Sequence, residues 1–181
     1  MNTPVMRAAA IRRAATIFAA CLLAACFATG ARSESQSYQS SAGPIEVSTV
    51  AGGLVHPWGL ALLPDGRALV TERPGRFRIV SRDGDLSPPL KNVPGVWNSG
   101  QGGLLDVVLD RSFADNKTLY FCFAERVERG GRTAIARARL SEDRLQDVGI
   151  IFRQEGPLSS GNHYGCRIAQ ADDGNLFVTL G

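Results

Sequence analysis

The sequence predicts an all-β chain assembled from blades of a β-propeller, and three observations predict it. Short runs rich in β-branched and aromatic residues, separated by Asp-Gly, Pro-Gly and Gly-Gly turns, fill the region after Pro44. No stretch longer than a turn or two carries a helical period. Three segments repeat one plan of apolar strand, Asp-centred turn and second apolar strand: WGLALLPDGRALVTE from Trp58, LLDVVLDRSFADNKTLYFCFAE from Leu104 and CRIAQADDGNLFVTLG from Cys166. Their turn residues Asp65, Asp115 and Asp173 stand 50 and 58 residues apart, close to the period of four-stranded blades.

In chain order, strands are expected at Ile45–Val50, Gly59–Leu63, Ala68–Glu72, Arg76–Val80, Leu104–Leu109, Thr118–Phe123, Thr133–Leu140, Ile150–Arg153, Arg167–Ala171 and Leu176–Leu180. Arg76–Val80 and Thr133–Leu140 alternate polar and apolar, as half-buried strands do. Asp172-Asp173-Gly174-Asn175 has the period of a hairpin turn and lacks the alternation and distal Glu of an EF-hand loop. Residues 26–44, which include the Ser/Gln-rich RSESQSYQSSAGP, read as a flexible tether, and the folded domain as 45–181. That length makes about three blades, where closed propellers have typically about 4–8. The chain stops at Leu180-Gly181 directly behind a strand, which reads as the N-terminal part of a longer protein.

The first 25 residues read as an export signal: a basic, acid-free stretch to Arg13, then the apolar run AATIFAACLLAA from Ala14 to Ala25. A run of this length is too short to span a bilayer, which takes about 20 apolar residues. Two ends of the signal stand open. Leu23-Ala24-Ala25-Cys26 resembles a bacterial lipobox, with Cys26 lipidated and anchored to the membrane; alternatively, cleavage falls near Gly30 or Ala31. Either way the expected location is periplasmic or otherwise exported.

Lys and Arg number 20 against 17 Asp and Glu. Losing Arg7, Arg12 and Arg13 with the signal leaves the two signs equal, so the mature domain lacks the basic surface that nucleic-acid binding requires. With 44% hydrophobic and 20% charged residues, the composition is globular. Of four cysteines, Cys122 and Cys166 remain after the signal. An oxidising compartment permits a bridge between them; two buried thiols on separate strands is the other reading. No zinc spacing is present in the sequence.

Two clusters stand out from the strand background: VPGVWNSGQGGLLD, Val93 to Asp106, and LSSGNHYGCR, Leu158 to Arg167, each just before a strand. With His56-Pro57-Trp58-Gly59-Leu60 they resemble the soluble sugar dehydrogenases dependent on pyrroloquinoline quinone (PQQ), the glucose/sorbosone dehydrogenase-like family, from about Val50 to Gly181. The resemblance implies a six-bladed propeller that holds PQQ and calcium and oxidises the anomeric carbon of an aldose to a lactone, then passes electrons to an external acceptor. It implies His163 as the catalytic base, Gln101 and Asn162 as substrate contacts, and Arg167 as a residue that positions the histidine loop. The quinone and calcium ligands, and an acidic partner for the histidine, are expected beyond Gly181, with no metal ligand within this chain.

These residue types suit that chemistry. Hydride leaves a hemiacetal carbon more easily as its oxygen loses a proton, and imidazole accepts one near neutral pH. Neutral amides both donate to and accept from sugar hydroxyls. His56 reads as a structural contact at a blade entrance, and Trp58 and Trp97 as buried aromatics rather than stacking platforms. The rival readings are a non-catalytic propeller module that binds a sugar or protein, and a propeller hydrolase such as a lactonase, for which metal carboxylates are not identified.

Overall fold

The computed structural model describes residues 35–157 and 160–181. The export segment 1–25 and Cys26 lie outside the described residues, as do 27–34. Strands β1 (Ser35–Ser40) and β2 (Gly43–Ser48) come first. Then follow β3 (Pro57–Leu62), β4 (Ala68–Glu72), β5 (Arg76–Val80) and β6 (Leu104–Leu109). A single helical turn, α1 (Phe113–Asn116), precedes β7 (Thr118–Val127), β8 (Gly130–Leu140), β9 (Leu145–Arg153), β10 (Ile168–Gln170) and β11 (Leu176–Val178).

The strands pair antiparallel with their neighbours in sequence, giving sheets β1-β2, β3-β4-β5, β6-β7-β8-β9 and β10-β11, and an isolated parallel bridge joins Lys91 to Arg144. The chain folds as propeller blades. The second blade has four strands, the first has three with a bridge from Val80 to Leu86, and β10-β11 begin a third. The first strands of successive blades, β3, β6 and β10, follow one another across the fold.

The layering comes from β7, whose alternate residues enter two cores. Leu119, Phe121 and Phe123 pack with Leu69, Phe77 and Leu104 between the first and second blades. Phe77 meets Phe121 edge to face at 5.2 Å. Cys122 and Ala124, on the opposite face, pack with Leu105, Tyr164 and Ile168 toward β10-β11. A strand covered on both faces reads as a continuous apolar run, as TLYFCFA does.

Between blades, isolated backbone bonds such as the Leu104 N–H on the Arg73 carbonyl are joined by polar links from buried side chains. Thr71 Oγ1 accepts the Gly59 N–H at 2.7 Å and donates to the Leu105 carbonyl at 2.5 Å. Asp106, fully buried within LLDVVL, accepts the Ile168 N–H at 2.8 Å and an Arg167 N–H at 3.0 Å. Within the first blade, Glu72, also buried, accepts the Val55 N–H and an Arg76 N–H, both at 2.6 Å.

Several expectations change. Residues 35–44, read as tether, belong to the β1-β2 hairpin with Tyr38 opposite Ile45. The polar composition does not prevent a backbone ladder, although the hairpin contributes no residue to either core. The turn expected at Asp115 is the α1 turn, because Phe113 must reach the first core. Strands β7 and β8 continue past Phe123 and before Thr133 through a polar section held by Glu125. The Asp173 turn is a hairpin as expected, with Asp173 accepting the Asn175 N–H at 3.0 Å.

Two outcomes are expected. Thr71→Val, which strands the Gly59 N–H and the Leu105 carbonyl, lowers unfolding free energy by about 1–3 kcal/mol in urea titration. Glu125 accepts from Arg153 and Arg132, whose hydrogen bonds hold its carboxyl below the ordinary 4.5. Its stabilisation is complete above that value and is lost as pH falls through the depressed one. Denaturation at a series of acidic pH values then shows a shallower loss of stability for Glu125→Gln.

Candidate functional site

Two loops that enter the first strands of neighbouring blades meet at the site. The turn Ser99–Gly103 leads into β6, closed by the Gly102 N–H on the Ser99 carbonyl at 2.8 Å. The segment Ser160–Arg167 leads into β10. The Gln101 N–H donates to the Gly161 carbonyl at 2.8 Å, and the His163 N–H donates to Gln101 Oε1 at 3.0 Å. Gly100 lies at φ 56°, where any Cβ would run into the Gly161 carbonyl oxygen, so the approach of the two loops requires glycine here.

The histidine loop is anchored by alternate residues. Tyr164, Cys166 and Ile168 are buried, while Asn162 and His163 are exposed. Tyr164 stands edge to face on Trp97 at 5.7 Å, and its carbonyl accepts from Thr133 Oγ1 at 3.1 Å. Burial pushes the Tyr164 phenol above its ordinary value, so it stays protonated. Gly131 floors this contact; a Cβ there would overlap the Trp97 ring and sit 2.8 Å from the Tyr164 hydroxyl. Cys166 is joined to Cys122 of β7 as a disulfide, with Cα atoms 6.6 Å apart. Gly181 packs on the His163 backbone, where a Cβ would come within 2.7 Å of the carbonyl oxygen.

The structure thus brings His163 and Gln101 together across 62 residues, with Asn162 beside them on the exposed rim. An N–H can only donate, so the Gln101 amide oxygen faces His163 and its NH2 is directed away from it. Arg167, expected to position this loop, bridges to Asp106 and places its guanidinium 5.8 Å over the Trp58 ring. Trp58 was expected to be buried and is instead 38% exposed. Trp97, also expected to be buried, is half-buried and packs against the second core. His56 is at φ 48° and its carbonyl accepts the Arg73 N–H at 3.0 Å, a structural contact at the entry to the first blade.

Sequence reasoning missed Arg73 and Asp106. Arg73, just after β4, donates to the carbonyls of both Gly100 and Gly102. Nothing in its local pattern marks it. Asp106 did carry a signal, since a carboxylate inside an apolar strand demands a partner.

Among the described residues, no group of three or more His, Cys, Asp and Glu side chains could hold a metal. No described helix is long and apolar enough to cross a membrane. Blades of antiparallel sheet here present one imidazole and one amide from converging loops. The comparisons with known proteins give that scaffold a family. The glucose/sorbosone dehydrogenase model matches residues 54–181, and the chain belongs to this family.

It is similar to the aldose sugar dehydrogenase YliI of Escherichia coli K12, 40% identical over 151 residues, which cover 81% of this chain and 41% of that protein. A crystal structure of glucose dehydrogenase superposes with TM-score 0.71 at 46% identity, covering 74% of this chain and 40% of the other. The PQQ-bound aldose sugar dehydrogenase of Streptomyces coelicolor superposes with TM-score 0.62 at 30% identity, covering 83% and 43%. The chain spans about two fifths of the length of these relatives.

One outcome tests the anchoring of the loop. Cys166→Ala, or Cys122→Ala, removes the cross-link and lowers unfolding free energy by about 2–4 kcal/mol, read by denaturant titration under non-reducing conditions.

Proposed function

We propose that the protein oxidises the anomeric carbon of aldose sugars to lactones, and that this chain supplies the substrate side of the site. The observation that carries the reading is the exposed His163, held by its own N–H on the Gln101 amide oxygen. His163 takes the proton from the anomeric hydroxyl. As that oxygen gains charge, hydride leaves the carbon and the C–O bond becomes the lactone carbonyl. The Gln101 NH2 donates to a sugar oxygen, and Asn162 donates to or accepts from a neighbouring hydroxyl.

PQQ, when bound, supplies the two-electron acceptor for this chemistry. The donor set fits the sugar better than it fits the cofactor. The carboxylates of PQQ call for cations, and the one guanidinium at the loop junction, Arg73, is engaged by two backbone carbonyls. On the family resemblance, holding the quinone and calcium, and delivering electrons to an external acceptor, is assigned to polypeptide other than these loops. The basic and apolar first 25 residues support export to the periplasm, with a lipid on Cys26 as a membrane anchor.

The test is dye reduction by the full-length gene product supplied with PQQ, calcium and glucose. His163→Ala lowers kcat by about 10²–10⁴-fold, with the fold retained by circular dichroism. A protein that binds sugar with no turnover is the non-catalytic module instead, and an unchanged rate in His163→Ala removes the histidine from the reaction.

A further inference from the structure

We propose that Arg73 is a positioning residue for His163, acting through the Ser99–Gly103 turn and the Gln101 amide. The inference rests on His163 being the base. Arg73 is itself fixed at both backbone ends: its N–H donates to the His56 carbonyl and its carbonyl accepts the Leu104 N–H, each at 3.0 Å. Its guanidinium reaches across the turn, with Nη2 donating to the carbonyls of Gly100 and Gly102, the latter at 3.2 Å, and Nε approaching the Gly102 carbonyl at 3.4 Å. Among the described residues no carboxylate pairs with it. A charged fork bound to neutral carbonyls alone acts as a staple for the turn.

The two stapled carbonyls flank Gln101. Gln101 turns the other way, with its N–H on Gly161 and its amide oxygen on the His163 N–H. The turn is thereby held from both sides, by Arg73 of the first blade and by the histidine loop. His163 sits at φ 67°, a left-handed conformation that a side-chain-bearing residue keeps only when its surroundings over-determine it. Its bond to Gln101 Oε1 is one of those determinants, and Arg73 holds Gln101 in place to make it. A lysine at this position has no fork to span two carbonyls.

The experiment is amide hydrogen exchange resolved at single residues, on the full chain carrying Arg73→Lys, Arg73→Met or Gln101→Ala. In Arg73→Met the His163 and Gln101 amides exchange about tenfold faster, and in Arg73→Lys by less, while amides of β7 and β8 keep their protection. In Arg73→Met combined with Gln101→Ala, the His163 amide exchanges no faster than in Gln101→Ala alone. Unchanged exchange at His163 in both Arg73 variants overturns the proposal, as does uniform acceleration across β6–β9 in Arg73→Lys, which would make the role merely structural. A second arm is sugar oxidation by the full-length product, where Arg73→Met lowers kcat and leaves KM within about twofold, as loss of an interaction made in the transition state does. Absence of sugar oxidation in the unmodified protein would defeat the assignment of function and leave the exchange result to decide the coupling by itself.

Discussion

Blades that stand side by side share few backbone bonds, the Leu104 N–H on the Arg73 carbonyl among them, so their seams depend largely on what side chains can reach across. Here the decisive reach is that of Asp106. A carboxylate in the middle of an apolar strand is costly to bury unless its lone pairs are filled. The Ile168 N–H and the Arg167 guanidinium fill them. The bond that satisfies Asp106 therefore also dictates where β10 starts against β6, and with it the path of the loop that immediately precedes β10. Thr71 performs the corresponding task one blade earlier, against Leu105. Apolar packing gives the seams their area, and these two buried groups give them their register.

Much of the blade plan was legible because β4, β5 and β6 announce themselves by composition alone. Each matches its expected range from Ala68, Arg76 and Leu104 to the last residue. Two of the failures share one physical cause. Where pairing is sustained by backbone and charge rather than by a buried face, hydrophobic pattern has nothing to report. That is so for the exposed β1-β2 hairpin and for the far end of β7 and β8 around Glu125 and Arg132. Strand β9 starts at Leu145, before the expected Ile150, because Leu145 itself enters the first core although polar residues separate it from Ile150. In the case of α1, the pattern showed an Asp turn, and tertiary demand for Phe113 in the core wound it into one helical turn.

The site was legible to a different depth. His163, Asn162 and Gln101 came from two glycine-flanked motifs and a family likeness, and the family is that of the glucose/sorbosone dehydrogenases. What no local pattern could show is that the two motifs hold each other. Gln101, expected to face a sugar, has its amide oxygen on the backbone of His163, which leaves its NH2 as the group directed elsewhere. Arg73 escaped notice because an arginine after a strand is unremarkable until the carbonyls it meets are known.

The bond between Cys122 and Cys166 lies three residues from His163. The loop gains this tether only after two thiols have surrendered a pair of electrons. An environment that can accept those electrons is thus a condition of the loop's completion, set during maturation and independent of any later ligand.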